Sequence, residues 1–372
     1  MMKGLRADTI LIALVAALVV GGALIFTSAA LGLLARGATN ISSVVFNHFL
    51  LGIGGGTVLL FAMYFIDYKK WRFIAPYVFG AAVIATVAVF IPGLGFEHGG
   101  GRRWLDLGFA TVQPAEFLKI ASIIAAAALF ATLREETASW RGLAAFLGLL
   151  AAPGIVLLLQ PDIGSLGIIC IATFAVFLAA GARIRDIAIL ACTGVVVLGL
   201  LLLTPHYRYV LERVTTFMNP ANQSALVEGY QIRQSLIAIG SGGFAGRGFG
   251  QGVQKFTYLP EPMGDSIYAV LAEELGFIGG VICIALFLML GLKGYGIAAV
   301  APDLFGGLLA VGLSTYLVGS AFINISAMLG IIPLTGDPLP FISQGGSAML
   351  VSLASAGLLL SISRKHRKAG RA

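Results

Sequence analysis

The sequence predicts an all-α polytopic membrane protein, and three observations support that prediction. Of its 372 residues, 24 are Lys or Arg and 17 are Asp or Glu, so only 11% are charged, against about 25% in a soluble domain. Hydrophobic residues make up 58% of the chain, and the mean hydropathy is +0.96. The apolar residues are gathered into long runs. This composition leaves too little polar surface for a soluble globular enzyme, and it also excludes a disordered chain and a disulfide scaffold.

The apolar runs are long enough to be membrane-spanning helices. A helix needs about 20 apolar residues to cross the bilayer core, and residues 1–372 have room for about ten such helices in a single transmembrane domain. The predicted spans are 9–34, 46–66, 73–92, 115–132, 143–159, 165–181, 187–204, 266–292, 304–330 and 345–362. Only Gln160–Gly164 separates the fifth span from the sixth, which predicts a tight helical hairpin. The first run is too long for a cleaved signal peptide and is predicted to remain as the first helix.

The distribution of basic residues predicts the orientation of the chain. An even number of spans places both termini on one side, and that side carries most of the bases: Lys3, Arg6, Lys69, Lys70, Arg72, Arg134, Arg141, Arg183, Arg185, Lys293, Arg364, Lys365, Arg367, Lys368 and Arg371. The short loops of the opposite side carry Arg36, Arg102 and Arg103. Basic loops stay in the cytoplasm, so both termini are predicted to be cytoplasmic. The larger irregular segments, 93–114, about 205–265 and 331–344, are then extracytoplasmic, and we expect the active face there.

Nucleotide and nucleic-acid ligands are not expected. The sequence has no P-loop and no complete Gly-x-Gly-x-x-Gly fingerprint, and the glycine-rich run Gly246–Gly252 lacks the strand and helix of a dinucleotide-binding unit. The net charge of +7 comes from bases scattered between apolar runs, whereas a nucleic-acid surface has a basic stripe. Membrane topology therefore explains the charge better than nucleic-acid binding does.

Ionisable residues inside the predicted spans indicate a candidate site, because a charge in hydrocarbon needs a partner or a water-filled cavity. Glu116 and Lys119 share one face of the fourth helix. They form either a structural ion pair or the lining of a polar cavity that opens outward. Asp162 lies in the tight turn between spans five and six. For Glu273 and Glu274, in the eighth span, we favour a structural role in which one acid pairs with a buried base.

Two extracytoplasmic segments hold further candidates. Asp265 precedes the eighth span, where it could cap the helix or act as a general base on a substrate at the membrane surface. Its position alone favours the cap. The segment 330–347 contains three prolines, which a continuous helix does not accommodate. We therefore expect an ordered loop, Pro333–Ser347, that packs against the segment around Asp265 and walls the same cavity.

Taken together, these segments resemble the SEDS family (shape, elongation, division and sporulation; FtsW/RodA/SpoVE). The matching motifs occur in family order over nearly the whole chain: Gly101–Trp104, Gln113–Lys119, Gln160–Gly164, Tyr230–Gly243, Tyr258–Glu261, Glu273–Gly276 and Pro333–Ser347. Ala238–Gly243 with Val253–Phe256 resembles the FtsW branch more than the RodA branch. The chain departs from the family pattern on both sides of Asp265, with Met263-Gly264 for the usual His-Thr and Ser266-Ile267-Tyr268 for Phe-Ile-Phe.

The resemblance implies an inverting peptidoglycan glycosyltransferase that polymerises lipid II at the outer face of the bacterial plasma membrane, for cell division or cell-shape maintenance. It implies that Asp265 is the catalytic general base, that Glu116 and Lys119 line the cavity and that Asp162 orients it. Ser343, in the Pro333–Ser347 loop, is a further cavity candidate. The implied partner is a class B penicillin-binding protein, which supplies transpeptidase activity, together with other divisome or elongasome proteins.

The implied leaving group, undecaprenyl pyrophosphate, carries negative charge that cations must meet. The candidate bases on the outer side are Arg102, Arg103, Lys119, Arg247 and Lys255. A divalent cation, Mg²⁺ or Mn²⁺, could share this charge. No nucleotide cofactor is expected, because a lipid-linked donor enters from the bilayer.

Two alternatives to the enzyme stay open at the level of sequence. Membrane-embedded acids could couple ion flow to transport, which favours a lipid II flippase or transporter. The chain could also be a non-catalytic divisome scaffold that recruits the transpeptidase. Against the transporter, the sequence shows no internal repeat, and its polar segments are concentrated on one side, whereas alternating access needs both.

Overall fold

The all-α membrane class is confirmed by the computed structural model, which describes residues 8–35, 41–98, 101–106, 108, 111–202, 204, 207–218 and 228–369. Among these residues, 8 helices are long and apolar enough to cross a membrane: Thr9–Gly32, Val44–Phe65, Tyr68–Phe90, Pro114–Leu133, Trp140–Leu159, Ile267–Ala299, Leu304–Met328 and Gly346–Arg364. Ile163–Ala179 is a shorter apolar helix, and Ile184–Leu202 is a helix of 19 residues. All ten predicted spans therefore fall on helices, while ten membrane crossings remain a prediction.

The structure contains fourteen α-helices among the described residues. The first seven are α1 Thr9–Ala35, α2 Ile41–Phe46, α3 Gly56–Phe65, α4 Tyr68–Val87, α5 Pro114–Leu133, α6 Trp140–Leu159 and α7 Ile163–Ala179. The next seven are α8 Ile184–Leu202, α9 Arg208–Met218, α10 Glu228–Ser241, α11 Gln254–Thr257, α12 Ile267–Ala299, α13 Leu304–Met328 and α14 Gly346–Ala369. A π-helical stretch, Asn47–Gly55, joins α2 to α3, and a 3₁₀ turn, Ala88–Phe90, follows α4. The predicted hairpin is confirmed, because α6 and α7 are separated only by residues 160–162.

The start of α4 was predicted wrongly, because this helix begins at Tyr68 rather than at residue 73. The Asp67 side chain caps this helix by accepting a hydrogen bond from Lys69 N at 3.1 Å. The side-chain oxygen of an N-cap residue accepts a hydrogen bond from a backbone N–H group of the first helical turn. This contact stabilises the start of a helix even where the first turn is polar. The basic first turn, which hydropathy assigned to a loop, is therefore helical.

The segment 93–114 contains a small antiparallel sheet that was not predicted. Its strands are β1 Gly95–His98, β2 Gly101–Asp106 and β3 Thr111–Val112, in the order β1-β2-β3. Phe96 pairs with Trp104, and a bulge follows between Phe96 and Glu97. The sheet joins α4 to α5 and places the basic strand β2 beside the α6–α7 turn.

Helices α13 and α14 form the centre of the bundle. In the apolar stretch of α14, 89% of the residues are buried, and in that of α13, 67% are buried, against 17% for Val44–Phe65. α13 packs against α5, α7, α12 and α14. The segment between α13 and α14 therefore emerges from the middle of the protein, where it can line an enclosed site.

α12 is not a continuous helix, because Gly276 has φ 68° and ψ −165°. Only glycine adopts this region without strain, and a Cβ at Gly276 would lie 2.2 Å from the backbone N of Gly246. Beyond the break, Phe277 N donates to Gly243 O at 2.9 Å. The loop after α10 thus supplies hydrogen bonds that the helix lacks at its break, and the short first half of α12 becomes a separate element just after Asp265.

We expect Gly276→Ala to destabilise the protein, because a side chain at this φ and ψ costs about 1–3 kcal/mol and would also collide with Gly246. The matched control is Gly296→Ala in the same helix, where a Cβ meets no atom within 4 Å. Thermal unfolding in detergent is the measurement. A Gly276→Ala protein as stable as Gly296→Ala would contradict the proposed strain at the break.

Candidate active site

A buried ion cluster joins α5 to the segment between α13 and α14. Lys119 Nζ donates to Glu116 Oε1 at 2.8 Å and to Asp337 Oδ1 at 3.2 Å. All three side chains are at most 4% exposed. The predicted contact between Glu116 and Lys119 is present and buried. Asp337 was missed, although a single acid inside an apolar, proline-rich loop is a signal that could have found it.

Asp162 belongs to the same cluster from the α6–α7 turn. Its Oδ1 accepts a hydrogen bond from Ser165 N at 3.2 Å and so caps α7. Its Oδ2 and the Oδ2 of Asp337 are both buried, and neither has a hydrogen-bond partner in the part of the chain that the structure describes. The loop approaches this turn closely because Gly164 has no side chain: a Cβ there would lie 2.3 Å from Asp337 Oδ2. Two carboxylates with unsatisfied oxygens are therefore packed against the same turn.

The cluster holds more acids than bases, and this imbalance acts on Asp337. Burial raises the pKa of the Asp337 carboxyl to about 7, the Lys119 ammonium opposes that rise, and the charges of Asp162 and Glu116 add to it. Near neutral pH this carboxyl is thus divided between its protonated and ionised forms. Protonation of Asp337 is one way in which the cluster limits its excess negative charge.

Asp265 lies beside the same loop, just before α12. A Cβ at Gly336 would lie 3.6 Å from Asp265 Oδ2, so bare loop backbone faces the carboxylate. Within the described residues the Asp265 carboxylate has no hydrogen bond or ion pair. The cap interpretation is wrong: Ser266 occupies the N-cap position of α12, and no side chain caps that helix. Asp265 is therefore an uncommitted carboxylate at the edge of the site.

Burial makes Asp265 a stronger base than an ordinary aspartate, and the charges around it adjust this effect. Burial raises the pKa of Asp265 to about 6, and the charge of Glu261 adds to that rise. The positive charges of Arg213 and Arg103 oppose it. A carboxylate with this pKa is ionised at neutral pH and still accepts a proton readily.

The two arginines that act electrostatically on Asp265 lie on different elements. Arg103, on β2, donates from Nε to Gln160 O at 3.3 Å and from Nη2 to Pro161 O. Arg213, on α9, donates from Nη1 to Leu334 O at 3.3 Å. Arg213 was not among the predicted site residues, because nothing in its local sequence distinguishes it from the other bases of the long segment 205–265. Arg102, the neighbour of Arg103 on β2, is exposed.

The Pro333–Ser347 loop packs against the segment around Asp265, which confirms that prediction. Ser343 Oγ donates to Gly264 O at 2.8 Å and accepts from Leu339 N at 2.8 Å. Gln344 N donates to Met263 O at 2.7 Å. Because Ser343 is only 3% exposed, its hydroxyl group holds the loop in place. Its predicted contact with substrate remains untested.

Lys255 and Arg247 lie in a second polar cluster. Lys255 Nζ donates to Ser28 Oγ at 2.6 Å, to Gly250 O at 3.0 Å and to Glu274 Oε1 at 2.5 Å. An ammonium has three donors, and each of these has an acceptor in a fully buried setting. The exposed Arg247 has its Nε 3.9 Å from Glu273 Oε1. The structural ion pair that we favoured for one of the two acids is thus present, between Glu274 and Lys255.

These observations define a polytopic membrane protein with an acidic site between a broken helix and a proline-rich loop. The profile of the FtsW/RodA/SpoVE family, described as cell cycle proteins, matches residues 8–368. Stage V sporulation protein E of Bacillus subtilis is 39% identical over 321 residues, which are 86% of each chain. The probable peptidoglycan glycosyltransferase FtsW of Geobacter sulfurreducens is 36% identical over 321 residues, 86% of this chain and 84% of that one. The chain belongs to the FtsW/RodA/SpoVE family.

Solved structures share the whole fold. A chain from a peptidoglycan synthase complex that coordinates polymerisation and crosslinking superposes with a TM-score of 0.80 at 26% identity, covering 97% of this chain and 99% of that one. The rod shape determining protein RodA of Thermus thermophilus superposes with a TM-score of 0.70 at 26% identity, covering 97% and 98%. This chain therefore shares its overall fold with these structures over nearly its whole length.

We expect Asp337→Asn to stabilise the protein at high pH. The wild-type carboxyl has a folded-state pKa of about 7 against an ordinary value of 3.8, so the folded state holds a proton that the unfolded state loses. The wild type therefore loses stability as the pH rises through this interval. The variant should unfold at a higher temperature than the wild type at about pH 8, and the difference should shrink towards about pH 5.

Thermal unfolding in detergent across this pH range is the measurement. Glu135→Gln serves as the control, because it makes the same acid-to-amide change at an exposed position. A pH-independent effect of Asp337→Asn would show that Asp337 is ionised throughout and that the cluster balances its charge in another way.

Proposed function

We propose that this protein is a peptidoglycan glycosyltransferase that polymerises lipid II. The observation that carries the proposal is the Asp265 carboxylate. It has no protein partner among the described residues, it has a raised pKa, it faces the loop at Gly336, and two arginines act on it electrostatically. The names of its relatives, among them a probable peptidoglycan glycosyltransferase FtsW, support the same activity. Membership of one family and coverage of nearly the whole chain support the transfer of that activity to this protein.

In the proposed reaction, the 4-hydroxyl of the acceptor GlcNAc attacks C1 of the donor MurNAc. A new C1–O bond forms on the face opposite the leaving group, and the bond from C1 to the diphosphate oxygen breaks. Undecaprenyl pyrophosphate leaves with the electron pair, and configuration at C1 inverts. Asp265 accepts the proton of the attacking hydroxyl. A base with a pKa of about 6 suits this task. It is ionised at neutral pH, and it binds a proton more strongly than an ordinary aspartate does.

The leaving group requires positive charge on the outer side of the site. Arg103 and Arg213 support this role, since both act electrostatically on Asp265 and fixed cations stabilise charge that develops in a transition state. Lys119 and Lys255 are buried and paired. We propose that these lysines shape the site and that the arginines meet the diphosphate.

In this proposal a divalent cation would bind to the diphosphate of the substrate. Among the described residues, no three His, Cys, Asp or Glu side chains converge as metal ligands. We therefore assign a Mg²⁺ or Mn²⁺ ion to the diphosphate of the substrate rather than to the described side chains, and every step above uses groups of this chain alone.

We propose that both termini are cytoplasmic and that the active face lies outside the bacterial plasma membrane. The positive-inside distribution of Lys and Arg supports this orientation. We also propose a class B penicillin-binding protein as partner, since a structural neighbour is part of a peptidoglycan synthase complex. The matching family is described as cell cycle proteins and one relative is a sporulation protein, and we assign this chain to cell division or cell-shape maintenance.

Purified protein incubated with lipid II in detergent, without ATP, tests the activity. We expect glycan polymer from the wild type and none from Asp265→Asn, because an amide keeps the shape of the side chain but does not accept the proton. Equal unfolding temperatures of the two proteins would show that the loss is chemical. Lipid II movement across vesicles without polymer would instead favour a flippase, and binding to the transpeptidase without either activity would favour a scaffold.

We expect the rate to fall about tenfold per unit as the pH drops below about 6, because Asp265 must be ionised to act as the base. The exposed Glu261 provides a sharper test. Its charge helps to raise the pKa of Asp265, so Glu261→Gln should lower that pKa and move the acid limb to lower pH. The measurement is kcat/KM against pH. An acid limb that Glu261→Gln leaves in place would contradict the assignment of that limb to Asp265.

A further inference from the structure

Asn324 connects the two segments that carry the acids of the site. It lies near the end of α13 and is 1% exposed. Its Nδ2 donates to the backbone oxygen of Asp265 at 2.9 Å and to the backbone oxygen of Asp337 at 2.8 Å. One amide group therefore holds the segment before α12 against the loop between α13 and α14.

The chemistry of these contacts requires an amide. Both partners are carbonyl oxygens, which only accept hydrogen bonds, and the NH₂ group of Asn offers two donors from one atom. An aspartate at this position would have the same shape but would direct carboxylate oxygens at the two carbonyls. Ser320, one turn earlier on the same helix, makes no comparable contact. It is buried, but its hydroxyl has no partner in the described residues.

The position of Asp265 depends on how these segments meet. The Asp265 carboxylate faces Gly336, the residue just before Asp337. Ser343 and Gln344 join the same two segments farther along the loop, through Gly264 and Met263. Among the described residues, Asn324 is the one that bonds to both Asp265 and Asp337. A change in its contacts would shift the backbone of Asp265 relative to the wall that its carboxylate faces.

We propose that Asn324 is a positioning residue for the glycosyl transfer: it fixes the backbone of Asp265 against that of Asp337 and thereby aims the general base. The inference rests on the proposed function. Asn324 bonds to backbone atoms and leaves the carboxylate untouched, so its loss should lower kcat and spare both substrate binding and the acid limb of the pH profile. Misplacement of a reacting group by about 1 Å costs about 100-fold in rate.

The test is polymerisation of lipid II by Asn324→Asp, with Ser320→Ala as the matched control on the same face of α13. We expect kcat to fall about 100-fold in Asn324→Asp, with KM for lipid II and the acid limb unchanged, and wild-type kcat in Ser320→Ala. Wild-type kcat in a folded Asn324→Asp protein would overturn the inference and leave the proposed function standing. Absence of polymer from the wild type would instead overturn the proposed function.

A disulfide between the two segments distinguishes a positioning role of Asn324 from a general loss of structure. Because Gln344 N donates to Met263 O, cysteines at these positions, Met263→Cys and Gln344→Cys, can join the two segments by a disulfide. In the Asn324→Asp background we expect oxidation to restore part of the lost kcat and a reductant to abolish the gain. Oxidised Asn324→Asp without the added pair controls for the native cysteines. A complete cross-link without recovery would overturn the inference.

If Asn324→Asp does not fold, Asn324→Ser, which keeps one donor on a shorter side chain, carries the same measurements. Failure of both variants to fold, while Ser320→Ala folds, would assign Asn324 a structural role and overturn the inference.

Discussion

The cost of placing charge in hydrocarbon is the constraint on which the rest of this structure depends. A charged side chain inside a bilayer costs several kcal/mol unless it is paired or hydrated. Lys119, in a transmembrane helix, is paired with Glu116 on its own helix and with Asp337 on a distant loop. The second contact draws an irregular segment down onto the helix bundle. Irregular backbone is tolerated at membrane depth only where it is buried or lines a cavity, so the pairing of Lys119 also builds a wall of the site.

The broken helix α12 provides the opposite wall. Its interruption at Gly276 leaves a short first half that follows Asp265 directly. The loop after α10 is tied to this half-helix by backbone bonds, since Arg247 N donates to Glu273 O at 3.1 Å and Gly248 N to Glu274 O at 3.0 Å. The Lys255–Glu274 pair fastens the same region to α1 through Ser28. Asp265 is thus held between two elements that are each anchored by buried charge.

The bases of the site divide into two kinds by their surroundings. The lysines are compact charges whose donors are used inside the protein, so they stabilise the architecture. The arginines sit at the rim, where each bonds a backbone carbonyl of a loop that also lines the site. Their positive charge lowers the pKa of Asp265, whereas burial and Glu261 raise it. The basicity of the candidate base is therefore a balance between several elements of the fold.

Local sequence patterns were sufficient to predict most of the helices, one tight turn, one ion pair and one ordered loop. Long apolar runs predicted the helices, the α6–α7 turn followed from its short polar break, and the Glu116–Lys119 contact followed from the helical repeat. Three prolines predicted an ordered loop. Each of these depends on residues that are neighbours in the chain, so composition and periodicity were sufficient. The break at Gly276 and the small sheet were not predicted, because a single glycine and three short strands leave no strong hydrophobic periodicity in the sequence.

The tertiary structure alone decided which distant groups meet. Lys119 and Asp337 are 218 positions apart, and Lys255 and Ser28 are 227 apart. Asn324 reaches two backbone carbonyls, which no side-chain pattern identifies. Hydropathy predicts that a residue lies in a membrane span. It does not predict which helix packs beside that residue, because the apolar surface of one span can pack against that of any other. The partners of the buried charges, and with them the aim of Asp265, are therefore properties of how the helices pack.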